Sequence, residues 1–281
     1  MPAISFKQNH ASFLALTLLG AVLVSCSKIE SSESNKKPED NRFTKVVLTQ
    51  GFDEPMAMTF TTDGGVLIVE RKGALKVFNT KTNKVKTIAT IPVNTKYISK
   101  EGVVSEAEEG LMGIVVHPDF ATNHWIYMYY ADPADTKHVL ARWELHGDSL
   151  YPASKKIILE VPTQREVCCH TGGGMVFDTH DNLYLTVGNN TANPISGTAS
   201  YDERPGRSSW DDQRGSGNTN DLRGKILRIH PENDGTYSIP EGNLFPKGTA
   251  QTKPEIYVMG DRNPWRVSID SKTGYLYWGE V

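Results

Sequence analysis

A short unit recurs four times along the chain: a polar turn built on Asp, Asn or Gly that runs straight into an aromatic and β-branched stretch. Asp63-Gly64-Gly65 leads into Val66-Leu67-Ile68-Val69-Glu70, and Gly73 into Ala74-Leu75-Lys76-Val77-Phe78. Pro118-Asp119-Phe120, with Asn123 and His124, leads into Trp125-Ile126-Tyr127-Met128-Tyr129-Tyr130. The segment from Asp178 to Asn182 precedes Leu183-Tyr184-Leu185-Thr186-Val187-Gly188, with Lys225-Ile226-Leu227-Arg228-Ile229 following a long insertion. The fourth copy runs from Asp270 to Gly274 and on through Tyr275-Leu276-Tyr277-Trp278-Gly279. These are the residues of turns and strands, and nothing after residue 41 carries a sustained helical period. Copies roughly 55 to 90 residues apart predict an all-β chain of antiparallel sheets repeated about an axis, a β-propeller with about four blades present. A β-sandwich would use the same short strands.

The start of the chain has a different character. Lys7 precedes an apolar run from Phe13 to Val24 that ends in Leu23-Val24-Ser25-Cys26. The run is about a dozen residues, short of the ~20 that cross a bilayer as a helix, so residues 1–25 read as a lipoprotein signal peptide. Cys26 is then the lipidation site, and residues 26–41, rich in Ser, Lys, Glu and Asn, form a lipidated flexible tether. This organisation predicts lipid anchoring in a bacterial cell envelope. The remaining residues 42–281 suffice for one large domain. A formal net charge of −3 with no basic stripe argues against a nucleic-acid partner. Of the three cysteines, Cys168 and Cys169 are adjacent. A bridge between neighbours must distort the chain, so a disulfide that stiffens the loop and a pair of small space-filling residues both stay open.

Four blocks then point to a family. Gly110-Leu111-Met112-Gly113 with His117-Pro118-Asp119-Phe120, His170-Thr171-Gly172-Gly173-Gly174, Gly224-Lys225-Ile226-Leu227-Arg228 and Gly260-Asp261-Arg262-Asn263-Pro264 occur in this order. Together they resemble the soluble quinoprotein glucose dehydrogenases, aldose sugar dehydrogenases and sorbosone dehydrogenases. The resemblance implies a six-bladed propeller, pyrroloquinoline quinone as cofactor and oxidation of a sugar at C1. A cytochrome or a membrane quinone would be the electron acceptor.

The same resemblance gives roles to residues. His170 falls at the family's catalytic base, a role that suits an imidazole. Glu108 falls where a polar side chain positions sugar and base, although beside Glu109 it also suits a solvated acidic loop. Arg262 and Asn263 fall at cofactor contacts, where a guanidinium matches the carboxylates of the quinone. The glycines after His170 suit close approach of backbone and of a flat cofactor. Two departures stand out. Cys169 replaces an aspartate before the base, and the family's calcium ligands are expected beyond the position of Val281, so the chain reads as an incomplete fragment of such a dehydrogenase. A non-catalytic carbohydrate-binding propeller is the alternative. The polar insertion from Asn190 to Asn220, with its aromatics and charge pairs, suits either carbohydrate contact or a lid.

Overall fold

A computed structural model describes residues 39–192 and 201–281. Residues 1–25, Cys26 and most of the tether lie outside the described residues, as does part of the insertion. From Leu48 on, the chain forms one unit.

The predicted repeat is a series of up-and-down antiparallel sheets. The first contains β1 (Pro55–Phe60), β2 (Gly65–Glu70), β3 (Ala74–Asn79) and β4 (Lys84–Thr90), paired in sequence order. A hairpin of β5 (Lys96–Ile98) and β6 (Val104–Glu106) follows. The second sheet holds β7 (Leu111–Val116), β8 (Trp125–Ala131), β9 (Lys137–His146) and β10 (Ser149–Pro162). The third holds β11 (Gly172–Phe177), β12 (Leu183–Val187), β13 (Lys225–Pro231), β14 (Tyr237–Ser238) and β15 (Ile256–Met259). A hairpin of β16 (Pro264–Ile269) and β17 (Leu276–Glu280) begins the fourth. These are three propeller blades and the first half of another. The helix content of the described residues is one turn, α1 (Phe120–Asn123), and two 3-10 turns.

The second blade is buried on both faces, which is why its central strands β8 and β9 are almost wholly buried. Successive side chains alternate across a strand. On β8, Ile126, Met128 and Tyr130 join the core shared with the first sheet, whereas Tyr127 and Tyr129 join the core shared with the third. The turns follow from local chemistry. Asp178 accepts the backbone N–H groups of His180 and Asn182 at 2.8 and 2.9 Å, a side-chain turn that competes well with strand pairing. At the turn before β8, His117 Nδ1 accepts the Asp119 N–H at 3.1 Å, while its ring packs on Trp125 and Phe177.

The first strand of each blade lies innermost. β1 packs on β7, β7 on β11 and β11 on β16, and the Arg266 guanidinium donates to the Met56 carbonyl, bridging β16 and β1. Glycines set these separations. A Cβ on Gly113 would lie 2.0 Å from the Gly173 carbonyl oxygen, and one on Gly174 would lie 2.9 Å from that of Trp265. The glycine run after His170 therefore serves close approach of neighbouring blade backbone, the first of the two approaches expected from sequence. Gly113→Ala should force β7 and β11 apart and lower the unfolding free energy by about 3 kcal/mol, the upper end for overpacking. A urea titration would measure it.

Candidate active site

His170 sits on the loop entering β11, at one end of the inner strands. It is 2% exposed and has φ of 58°, a left-handed conformation that non-glycine residues adopt under constraint from their surroundings. The surroundings supply that constraint. The Cys169 and Asn190 backbone N–H groups donate to the carbonyls of Thr191 and His170 at 3.3 and 3.1 Å. Asn190 Oδ1 accepts the Gln164 N–H at 2.6 Å. A Cβ on Gly188 would lie 2.2 Å from the His170 carbonyl oxygen, so only glycine ends β12 this way.

The ring is oriented by a polar chain that the sequence reading missed. His170 Nδ1 lies 2.9 Å from Asn189 Oδ1, and Asn189 Nδ2 donates to Asp212 Oδ1 at 2.6 Å. The Thr191 N–H also donates to Asn189 Oδ1, at 3.1 Å. A carboxylate only accepts, so Asp212 takes the amide NH2 and leaves Asn189 Oδ1 facing the imidazole. His170 Nδ1 is thereby the protonated nitrogen and Nε2 carries the lone pair. Asp212 comes from the insertion, on the 3-10 turn Asp212–Arg214. That turn is held by the buried Lys225 ammonium, which donates to the carbonyls of Gly215, Ser216 and Arg223 at 2.7, 3.0 and 2.8 Å. In the same insertion, Trp210 is covered by the Arg207 guanidinium at 4.0 Å.

The two adjacent glutamates have separate fates. Glu108 Oε2 accepts the His170 backbone N–H at 2.8 Å. Glu109 turns inward to Arg165 Nε at 2.8 Å, Asn94 Nδ2 at 2.9 Å and His138 Nε2 at 3.2 Å. Burial works to raise the Glu109 carboxyl, but His138, Arg165 and Asn94 together hold it below its usual range. Arg71 organises the loop carrying both. It reaches Glu54 at 3.0 Å, Glu106 at 3.2 Å and the Ala107 carbonyl at 2.9 Å. Glu108 opens onto a cleft of about 520 Å³ whose walls include Glu54, Arg71, Glu106, Asn263 and Trp265.

The Arg262-Asn263 loop is stitched to the histidine loop. Asn263 Oδ1 accepts the Gly172 N–H at 3.1 Å, the Arg262 carbonyl accepts the Asn189 N–H at 2.8 Å, and Arg262 Nη1 donates to the Val281 carbonyl at 2.6 Å. His170, Glu108, Arg262 and Asn263 thus share one end of the blades. Asn263 spends its carbonyl on the backbone, which makes it a structural tie in this arrangement. Cys168 and Cys169 are joined in a disulfide across a cis peptide.

The sequence profile of the family described as Glucose / Sorbosone dehydrogenase matches residues 52–281. The chain belongs to the glucose/sorbosone dehydrogenase family. It is similar to quinoprotein glucose dehydrogenase B of Acinetobacter calcoaceticus, 24% identical over 249 residues that cover 81% of this chain and 46% of that protein. It is also similar to the aldose sugar dehydrogenase YliI of Escherichia coli, 24% identical over 238 residues, 83% of this chain and 55% of that one. The chain spans about half the length of these curated relatives. The PQQ-bound aldose sugar dehydrogenase of Streptomyces coelicolor shares its fold, with a TM-score of 0.59 at 23% identity, covering 83% of this chain and 58% of that one.

In this member of the glucose/sorbosone dehydrogenase family, a second carboxylate pair closes the site's edge. Burial, with the Glu280 charge adding to it, pushes the Asp261 carboxyl up to about 6 from 3.8. Asp261 Oδ2 is buried without a partner, since two carboxylates bond only through a shared proton. A raised acid contributes stability that is complete below its unfolded value and is lost as pH rises through the folded one. Asp261→Asn keeps the acceptor for Trp278 Nε1, now at 3.2 Å, and gives Glu280 a donor. It should raise the unfolding free energy at pH 8 by about 1–2 kcal/mol, with screening by solvent allowed for, and change little at pH 4. Urea titrations at the two pH values check this.

Proposed function

We propose that the protein is a quinone-dependent sugar dehydrogenase that oxidises the C1 hydroxyl of an aldose or a related sugar, with His170 as base. The observation that carries this reading is the Asp212–Asn189–His170 chain, which presents His170 Nε2 as the basic nitrogen within a loop matching the family's motif. In the reaction His170 takes the hydroxyl proton on Nε2, and Asn189 keeps its hydrogen bond to Nδ1 as the ring becomes positive. Asp212, behind the amide, stabilises that charge. Glu108 fixes the backbone of His170 and would accept a sugar hydroxyl.

The cleft fits pyrroloquinoline quinone in part. Trp265 lines the cleft and offers a flat wall, and Arg262, on the adjoining loop beside Asn263, would supply a charge-assisted contact to one carboxylate by exchanging its present partners, the Val281 carbonyl among them. Arg71 is committed to Glu54 and Glu106, and with Glu108 these acids make the near wall negative. When bound, the quinone accepts the sugar's hydride. Calcium does not fit the described residues, whose one cluster of potential metal ligands is Glu108, Cys168 and Cys169, unlike the six to eight oxygens that calcium takes. The proposal extends to a lipid anchor at Cys26 in a bacterial cell envelope and to a cytochrome or membrane quinone as acceptor. No helix among the described residues is long and apolar enough to cross a membrane.

A calorimetric titration with pyrroloquinoline quinone tests the cofactor assignment. Arg262→Ala should weaken binding about ten-fold, the loss of one charge-assisted contact of ~1.5 kcal/mol. Unchanged affinity in that variant would remove Arg262 from the cofactor site.

A further inference from the structure

The disulfide loop carries chemistry that sugar oxidation does not use. Cys168 and Cys169, the two residues before His170, are both half-buried. Their sulfurs and a Glu108 carboxylate oxygen all lie within 4.8 Å of one another. Glu108 is held in place by the His170 N–H at 2.8 Å.

We infer that Cys168, Cys169 and Glu108 form a redox-gated site for one thiophilic divalent cation of the zinc and cadmium type. Two thiolates and one carboxylate leave one of zinc's four tetrahedral positions for water. Ligands bound at about 2.0–2.3 Å stand roughly 3.5–4 Å apart in a tetrahedron, so on reduction the two sulfurs, bonded in the closed form, must separate to that distance while the carboxylate closes by about an ångström or less. Two sulfurs select against calcium and magnesium. The gate is the disulfide, because a closed S–S bond offers no thiolate. A dithiol donor opens it by thiol–disulfide exchange: two electrons and two protons pass to the cysteine sulfurs, and the donor leaves as its own disulfide. The cation then displaces both thiol protons to solvent. The site stands independently of the dehydrogenase reading.

The test uses the full chain in detergent, reduced with a phosphine, freed of the phosphine without oxygen and titrated with Cd²⁺ alone. Reduction should release two thiols per chain. One Cd²⁺ should then bind with a cadmium–thiolate ultraviolet band that is missing from the oxidised chain. Cys168→Ser and Cys169→Ser should each abolish the band, Cys26→Ser should keep it, and Glu108→Gln should weaken binding about ten-fold or more. Alkylation of the reduced wild-type chain should abolish binding without any substitution, with near-ultraviolet circular dichroism reporting the fold. Equal binding by the oxidised chain, a band that survives in either variant of the pair or after alkylation, its loss in Cys26→Ser, or no band after reduction would each overturn the site. Undiminished affinity in Glu108→Gln would overturn the three-ligand assignment.

Discussion

His170→Ala is expected to lower kcat for sugar-dependent dye reduction by 10²–10⁴-fold, roughly the contribution of a positioned general base, while the protein stays folded. The fold should tolerate the change because Asn189 and Glu108 are not left stranded. Asn189 Oδ1 keeps the Thr191 N–H, and Glu108 keeps the backbone N–H at residue 170, which alanine also provides. Asn189→Leu acts at one remove. It leaves the imidazole but takes away the acceptor that selects its tautomer, so the loss should be smaller, about 10–100-fold, and should come with a displaced acidic limb in the pH–rate profile. A purely structural role for Asn189 would lower the amount of folded enzyme without moving that limb.

Glu109→Ala is expected to cost about 3–5 kcal/mol of stability, the price of breaking a buried ion pair from one side. Arg165 has a side chain 12% exposed and His138 one 1% exposed, so neither can turn to water for a replacement acceptor. Urea unfolding should show a large fall in midpoint with little change in slope. Because the Glu109 carboxyl is held below its usual value of 4.5, its contribution is complete above that value and is lost as pH falls through the lower, folded one. The wild type should therefore weaken in acid more than Glu109→Ala does. Glu108→Gln, one residue away and half-buried, should cost under ~1 kcal/mol and lose activity instead. The opposite pattern would mean that the two glutamates have been assigned in reverse.

Much of the blade pattern was legible because the central strands of a blade are mostly buried and so are built largely from β-branched, aromatic and other apolar residues. The runs at Val66–Glu70, Ala74–Phe78, Trp125–Tyr130 and Lys225–Ile229 are all strands. The outer strand β10 was not legible. It is 14 residues long, carries Ser, Lys and Pro152, and is bulged between Tyr151 and Lys156, and an edge strand tolerates such residues. The meeting of Glu108 with the His170 loop followed from the family resemblance, although their 62-residue separation has no local signature.

Three features lay outside what periodicity or motif reveals. Asn189 and Asp212 act through contacts made only when the insertion folds back over the end of β12. Arg71 looks like an ordinary turn cation beside Lys72 and Gly73, yet it is 9% exposed and gathers two acids and two carbonyls. The glycines after His170 meet neighbouring backbone, a contact between blades that no window of sequence contains.

The most direct test is reconstitution of the protein with pyrroloquinoline quinone, followed by dye reduction across a panel of aldoses, for the wild type and His170→Ala. The account predicts sugar-dependent dye reduction by the wild type with at least one aldose, and its loss in a His170→Ala protein that still folds and binds quinone. A folded wild-type protein that binds sugar but reduces no dye would contradict the account and make it a carbohydrate-binding propeller. Activity that survives His170→Ala would contradict the assignment of the base.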